Sequence, residues 1–292
     1  MSAGRKLPGT PEPMHRFGGA GGVRIACDTW GEAAAPLVVL LHGGGQTRHA
    51  WKGTGIRLAA AGYRVAAYDA RGHGDSDWAA DGDYDYRAMA QDLRNVVVAL
   101  GAEHAALVGA SMGGGTSLVA LGEGLVAATA LVMVDVAPHI EPAGVSRIHA
   151  FMSQSPEGFD SLERVAEAIA SYQPHRTRPG RLDGIAKNVR LAPDGRYRWH
   201  WDPAYRAAHV DQRHRRDRLS DCARRLTVPT LLVRGLLSDL LSEEGARDFL
   251  ELCPHSEYVR VGDAAHMVVG DRNDIFARAV VDFLARAVPV AA

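Results

Sequence analysis

Apolar positions fall into two spacings along the chain. Leu37–Leu41, Val65–Tyr68, Ala105–Val108 and Leu131–Val134 are unbroken apolar runs of strand length. Such runs suit strands buried on both faces of a parallel sheet. Between them, Trp51–Ala61, Tyr86–Leu100 and Met112–Glu123 carry apolar residues at helical spacing. Their alternation predicts a doubly wound α/β core with right-handed crossovers. Ahead of this core, Met14–Phe17, the Gly18–Gly22 turn and Val23–Trp30 read as a β-hairpin.

The alternation stops after Asp135 and resumes at Thr230–Val233, followed by a helix from Glu243, a strand at Glu257–Val261 and a closing helix from Asp274. The intervening stretch is richer in Arg, His, Pro and aromatic residues. It holds amphipathic patterns at Val145–Gln154 and Ser161–Tyr172, then an aromatic run of Tyr197, Trp199, Trp201 and Tyr205. A structureless loop of that length does not suit a compact domain. Residues 138–217 are therefore expected to form an inserted, mostly helical lid on a core made from 1–137 and 218–292.

Composition narrows the setting. With 292 residues, 47% of them hydrophobic, the chain can bury a core without a disulfide or metal staple. A net charge of −1 offers no general attraction to nucleic acid or anionic membranes. Cys27, Cys222 and Cys253 are scattered, with no C-x-x-C, as suits buried thiols in a reducing compartment. Met1–Arg16 lacks an apolar signal-peptide core, and no apolar run reaches the ~18 residues of a membrane span. The expectation is a cytoplasmic protein with no nucleic-acid or membrane partner and no metal site. Whether it is a monomer or a homo-oligomer is left open.

The chemistry concentrates at the ends of the apolar runs. Gly109-Ala110-Ser111-Met112-Gly113 has the form G-x-S-x-G, directly after one buried strand and before a helix. A sharp strand-to-helix turn there would hold the Ser111 hydroxyl above the sheet as a nucleophile. Gly109 and Gly113 would be needed because a Cβ would clash where strand and helix cross. His42-Gly43-Gly44-Gly45 ends the Leu37–Leu41 run, at the carboxyl edge where open α/β sheets bind ligands. Glycines let backbone N–H groups turn toward an oxyanion, so Gly44 or Gly45 and Met112 are the expected donors. His42 reads as a structural hydrogen-bonding residue. No dinucleotide fingerprint and no Walker A motif occur.

With such an elbow, the acid and then the base follow the nucleophile along the chain. Among 13 histidines, His266 comes just after the last strand and can reach back to Ser111; His255 precedes that strand and would lie at the far end of the sheet. Asp239, following Thr230–Val233, is the expected acid that orients His266. Asp135, which ends an earlier strand, is the alternative. Asp69 reads as a turn organiser.

These residues together resemble the α/β-hydrolase superfamily. The likeness runs from His42-Gly43-Gly44-Gly45 through Asp69-Ala70-Arg71-Gly72-His73-Gly74-Asp75-Ser76 and the Ser111 elbow to Asp239 and His266, and leaves the lid poorly matched. Ala264–Asp274 is similar to a bacterial subgroup of small lidded hydrolases of esterase or epoxide-hydrolase type. The resemblance implies an eight-stranded, mostly parallel sheet and no cofactor. A serine at position 111, where dehalogenases and epoxide hydrolases of the superfamily carry aspartate, points to acyl chemistry. The leading expectation is hydrolysis of a carboxylic ester or lactone. A carbon–carbon bond hydrolase, a cofactor-free perhydrolase and a ligand-binding receptor are the alternatives. Gly45, Trp199, Trp201 and Tyr205 hint at a small apolar or aromatic acyl substrate, although the lid aromatics equally suit packing of the lid onto the core.

Overall fold

The computed structural model describes residues 3–172, 184–207, 211–262 and 273–290. Its main sheet has eight strands: β1 (His15–Gly18), β2 (Arg24–Trp30), β3 (Leu37–Leu41), β4 (Arg64–Tyr68), β5 (Ala105–Ala110), β6 (Ala128–Val134), β9 (Thr230–Gly235) and β10 (Glu257–Val261). Their spatial order is β1-β2-β4-β3-β5-β6-β9-β10. β1 and β2 are antiparallel, as are β2 and β4, and every other pairing is parallel. This is the mostly parallel eight-stranded sheet that the family resemblance implied.

The period-two geometry of a strand explains why the apolar runs are unbroken. In β3, Leu37, Val39 and Leu41 join one apolar cluster while Val38 and Leu40 join another on the opposite face. The first cluster is completed by α2 (Tyr86–Ala99), α3 (Met112–Gly122), α7 (Gln212–Arg224) and α8 (Glu243–Leu252). The second takes Leu58 from α1 (Lys52–Ala60) and Phe276, Val280, Phe283 and Leu284 from α9 (Asn273–Ala287). Among the described residues, no helix is long and apolar enough to cross a membrane.

Between β6 and β9 the chain leaves the main sheet. It forms α4 (Pro142–Met152), α5 (Leu162–Tyr172), a two-stranded hairpin of β7 (Val189–Leu191) and β8 (Tyr197–Trp199), then α6 (Pro203–Ala207) and α7. The hairpin was not foreseen, because three-residue strands are too short to show a period. Met152, Phe159, Val165, Ile185, Val189, Trp199 and Trp201 give this segment an apolar cluster of its own. α7 packs Leu219, Cys222 and Ala223 into the main core, so position 217 lies inside a helix that belongs partly to each region.

The segment is fastened to the core by buried charge. The loop after β4 folds around Asp69, which accepts hydrogen bonds from the amides of Arg48 and Asp75. Arg48 is wholly buried and bridges Asp28, Asp69 and Asp75. From β7, Arg190 reaches Asp75 at 2.9 Å, and Nδ1 of His200 accepts from the Gly74 amide. Asp69 thus organises its turn, as the sequence suggested.

Candidate active site

Ser111 sits between β5 and α3 at φ 47° and ψ −112°, in the left-handed region that a residue with a Cβ enters only under strain. The turn is held by the Ser111 amide, which donates to Val134 O at 3.0 Å. A Cβ on Gly109 would run into the backbone of Gly113 and Gly114, and one on Gly113 into the backbone of Leu41. Both glycines of the motif are therefore demanded by packing. Met112 opens α3, so its amide is one of the helix donors with no intrahelical acceptor, pointing to where negative charge is stabilised.

The His42–Gly45 turn faces this elbow. A Cβ on Gly43 would stand 3.3 Å from Ser111 Cβ. The amide of Gly43 donates to Gln46 Oε1 at 2.9 Å, so that donor is committed to shaping the turn. Gly44 and Gly45 carry the next two donors; Gly45 has φ 73°, and Gly44 lies beneath the Tyr205 hydroxyl. His42 accepts from the Ala70 amide at Nε2, which makes Nδ1 the protonated nitrogen that donates to Gly43 O at 2.8 Å. Burial lowers its pKa and favours this neutral form. His42 is thus a strut of the glycine turn.

The two candidate acids differ in their surroundings. Asp135 ends β6, the strand beside the nucleophile strand; it is fully buried and adopts φ 51°. Its Oδ1 accepts from the Gly235 amide at 3.0 Å and its Oδ2 from Ser238 Oγ at 2.5 Å. Ser238 Oγ in turn accepts from the amides of Leu240 and Leu241, so the hydroxyl bridges the β9 loop to Asp135. Asp239 lies on that loop with its side chain 33% exposed, and Arg147 of α4 takes its carboxylate at 2.9 Å. Sequence reasoning missed Ser238, since a serine beside an aspartate gives no sign of which carboxylate it will hold.

His266 lies outside the described residues. β10 runs parallel to β9 and ends at Val261 opposite Gly235, at the carboxyl edge of the sheet where Ser111 also lies. The rival His255 contacts Val228 O at 3.0 Å, just ahead of β9, which puts it at the opposite edge.

Above Ser111 the inserted segment overhangs a cavity of about 700 Å³, lined by Gly43–Gly45, Ser111 and Met112 below and by Met152, Trp199, Trp201 and Tyr205 above. Trp199 and Trp201 stack with centroids 4.7 Å apart, and Phe151 packs against both. Trp199 and Trp201 thus belong to the inserted segment's own apolar cluster and also wall the cavity, while Tyr205 packs against both that cluster and the main core. Tyr205 packs edge-on against His73 and Tyr84. Among the described residues no cluster of His, Cys, Asp or Glu could hold a metal ion.

His73 is buried and held neutral, pushed down to about 3 by desolvation first and the neighbouring His42 second, with Asp69 opposing. A histidine whose folded pKa lies below its unfolded value gives stability that is complete above about pH 6.5 and lost as pH falls toward the folded value. Between pH 7 and pH 5 His73 alone should account for a loss of about 2 kcal/mol in urea unfolding. His73→Gln should remove that share of the pH dependence and leave the share of the other buried histidines; an unchanged slope would mean that His73 protonates without cost.

The family model for the α/β-hydrolase fold matches residues 36–272, so the chain belongs to the α/β-hydrolase fold family. An esterase of Mycobacterium tuberculosis is 30% identical over 258 residues, covering 85% of this chain and 82% of its own length. An sn-1-specific diacylglycerol lipase of Mus musculus is 28% identical over 270 residues, covering 87% and 83%. Among solved structures, that of E-2-(acetamidomethylene)succinate hydrolase matches with a TM-score of 0.82 at 26% identity, covering 92% of this chain and 98% of that one.

Proposed function

We propose that the protein is a serine hydrolase that cleaves a carboxylic ester or lactone through an acyl-enzyme on Ser111. The observation that carries this reading is the strained Ser111 turn opening into a deep cavity under the inserted segment, with the Met112 amide and the Gly44 turn beside it. Relatives named for ester hydrolysis support it. In this reading the Ser111 hydroxyl attacks the acyl carbon and His266 accepts its proton. The new oxyanion is met by the amides of Met112 and Gly44, which need no reorganisation as charge develops. His266 then returns the proton to the leaving alkoxide, and water releases the acyl group by the reverse sequence. The lid excludes bulk water and strengthens each of these interactions.

For the acid we propose Asp135 in place of Asp239, which its position after Thr230–Val233 had favoured. An acid that orients an imidazole must itself be fixed, and Asp135 is buried and gripped by Gly235 and Ser238. The carboxylate of Asp239 is one-third exposed and engaged with Arg147. Exposed pairs of that kind contribute about 0–1 kcal/mol and hold their members loosely.

A panel of short p-nitrophenyl esters, alkyl esters, lactones and β-diketones offered to the purified protein tests the reading. Turnover of the esters or lactones with covalent labelling by a fluorophosphonate is the expected result. Labelling with diketone cleavage alone would move the reaction to carbon–carbon bonds, and neither labelling nor turnover would leave a binding protein.

A further inference from the structure

Five arginines are buried, and four have a carboxylate at salt-bridge distance: Arg48 with Asp28, Asp69 and Asp75, Arg71 with Asp92, Arg190 with Asp75, and Arg234 with Glu243. Arg215 differs. It is 9% exposed, lines the cavity above Ser111, and donates through Nη1 to Pro138 O at 3.3 Å. No carboxylate among the described residues lies within ion-pair distance of it, and its Nε and Nη2 have no acceptor there. A single long bond to a carbonyl leaves Nε and Nη2 open to the cavity, where an acceptor on a bound molecule could meet them. Arg215 also stands near the first turn of α7, where the helix dipole disfavours a cation that has no anion beside it.

The other charged groups on the cavity wall are already engaged. Arg218 pairs with Asp85 at 3.0 Å and with Glu123 at 2.7 Å, and Asp211 caps α7 by accepting from the amides of Arg213 and His214. Arg215 also acts electrostatically on Tyr205, whose hydroxyl stands over Gly44. The guanidinium and the glycine turn thus share one chamber. Nε and Nη2 form one edge of the planar fork, the edge that meets a carboxylate through two parallel bonds.

We propose that Arg215 binds a free carboxylate on the substrate, so that the preferred esters are anionic: an acyl group that carries a carboxylate at one end and the scissile bond at the other. The apolar wall of Met152 and Trp201 would cover the chain between. This inference rests on Ser111 being the acyl acceptor, and the test separates the two.

Monoethyl adipate and the matching ethyl ester with a carboxamide in place of the free carboxylate differ only in charge at one end. Binding is measured calorimetrically to Ser111→Ala protein, alone and with Arg215→Gln or Arg215→Lys, and hydrolysis is measured on the protein with Ser111 intact. The carboxylate ester should bind roughly 10- to 100-fold more tightly than the carboxamide, the scale of a charged hydrogen-bonded pair. Arg215→Gln should abolish that ratio and Arg215→Lys should keep part of it. Equal affinities with Arg215 present, or an unchanged ratio in Arg215→Gln, would overturn the proposal, even if both esters were hydrolysed. Charge-selective binding without hydrolysis of either ester would uphold the anion site and remove the hydrolase reading instead.

Discussion

Ser111→Ala should lower ester turnover by roughly 10⁴-fold or more and abolish fluorophosphonate labelling, with little change in the thermal unfolding midpoint. The substitution removes only a hydroxyl, and Ala keeps the Cβ that makes φ 47° costly, so the strain in the turn persists. Ser111→Gly should be equally inactive yet more stable by about 1 kcal/mol, because glycine occupies that region without penalty. A stability gain with lost activity would mark strain kept for chemistry. Substantial turnover in either variant would remove Ser111 from the mechanism.

Asp135→Asn should cost about 10⁴-fold in kcat with the fold intact, since an amide there would present its NH₂ or carbonyl to the imidazole and disturb the tautomer that accepts the serine proton. Asp239→Asn should stay within a few-fold of the parent, losing only an exposed pair with Arg147. Ser238→Ala belongs in the same series: it releases Oδ2 of Asp135 and should give an intermediate loss in kcat with KM nearly unchanged. If Asp239→Asn proved the damaging variant, the loop position after Thr230–Val233 would have been the better guide than the burial of the carboxylates.

Much of the architecture was legible in the order of residues because it follows from burial. β3 and β10 run over the residues that their apolar patterns mark, and α2 and α3 end within one residue of expectation. The Ser111 elbow was legible for a different reason: backbone crossing at Gly109 and Gly113 excludes every other residue, so the steric demand is written as a motif. The surroundings of the two candidate acids were not legible. Asp135 and Asp239 both follow a buried strand, and only the fold shows that Asp135 is buried against Gly235 and Ser238 while Asp239 meets Arg147 near the surface. Arg215 was invisible too, since a cation becomes notable only when the surrounding carboxylates are known to be elsewhere. The β7–β8 hairpin escaped because tertiary contact, more than propensity, makes three-residue strands.

The fastening of the inserted segment has a consequence for building chimaeras from this protein. Asp28, Asp69 and Asp75 are matched by Arg48, Lys6 and Arg190, and the last of these comes from the hairpin of the inserted segment. A graft that replaces the stretch between β6 and β9 removes one of those positive charges while leaving all three negative ones in the recipient. Transplanted segments that bring a long basic side chain to Asp75 should seat on this scaffold, and those that do not will need Asp75 neutralised in the same step.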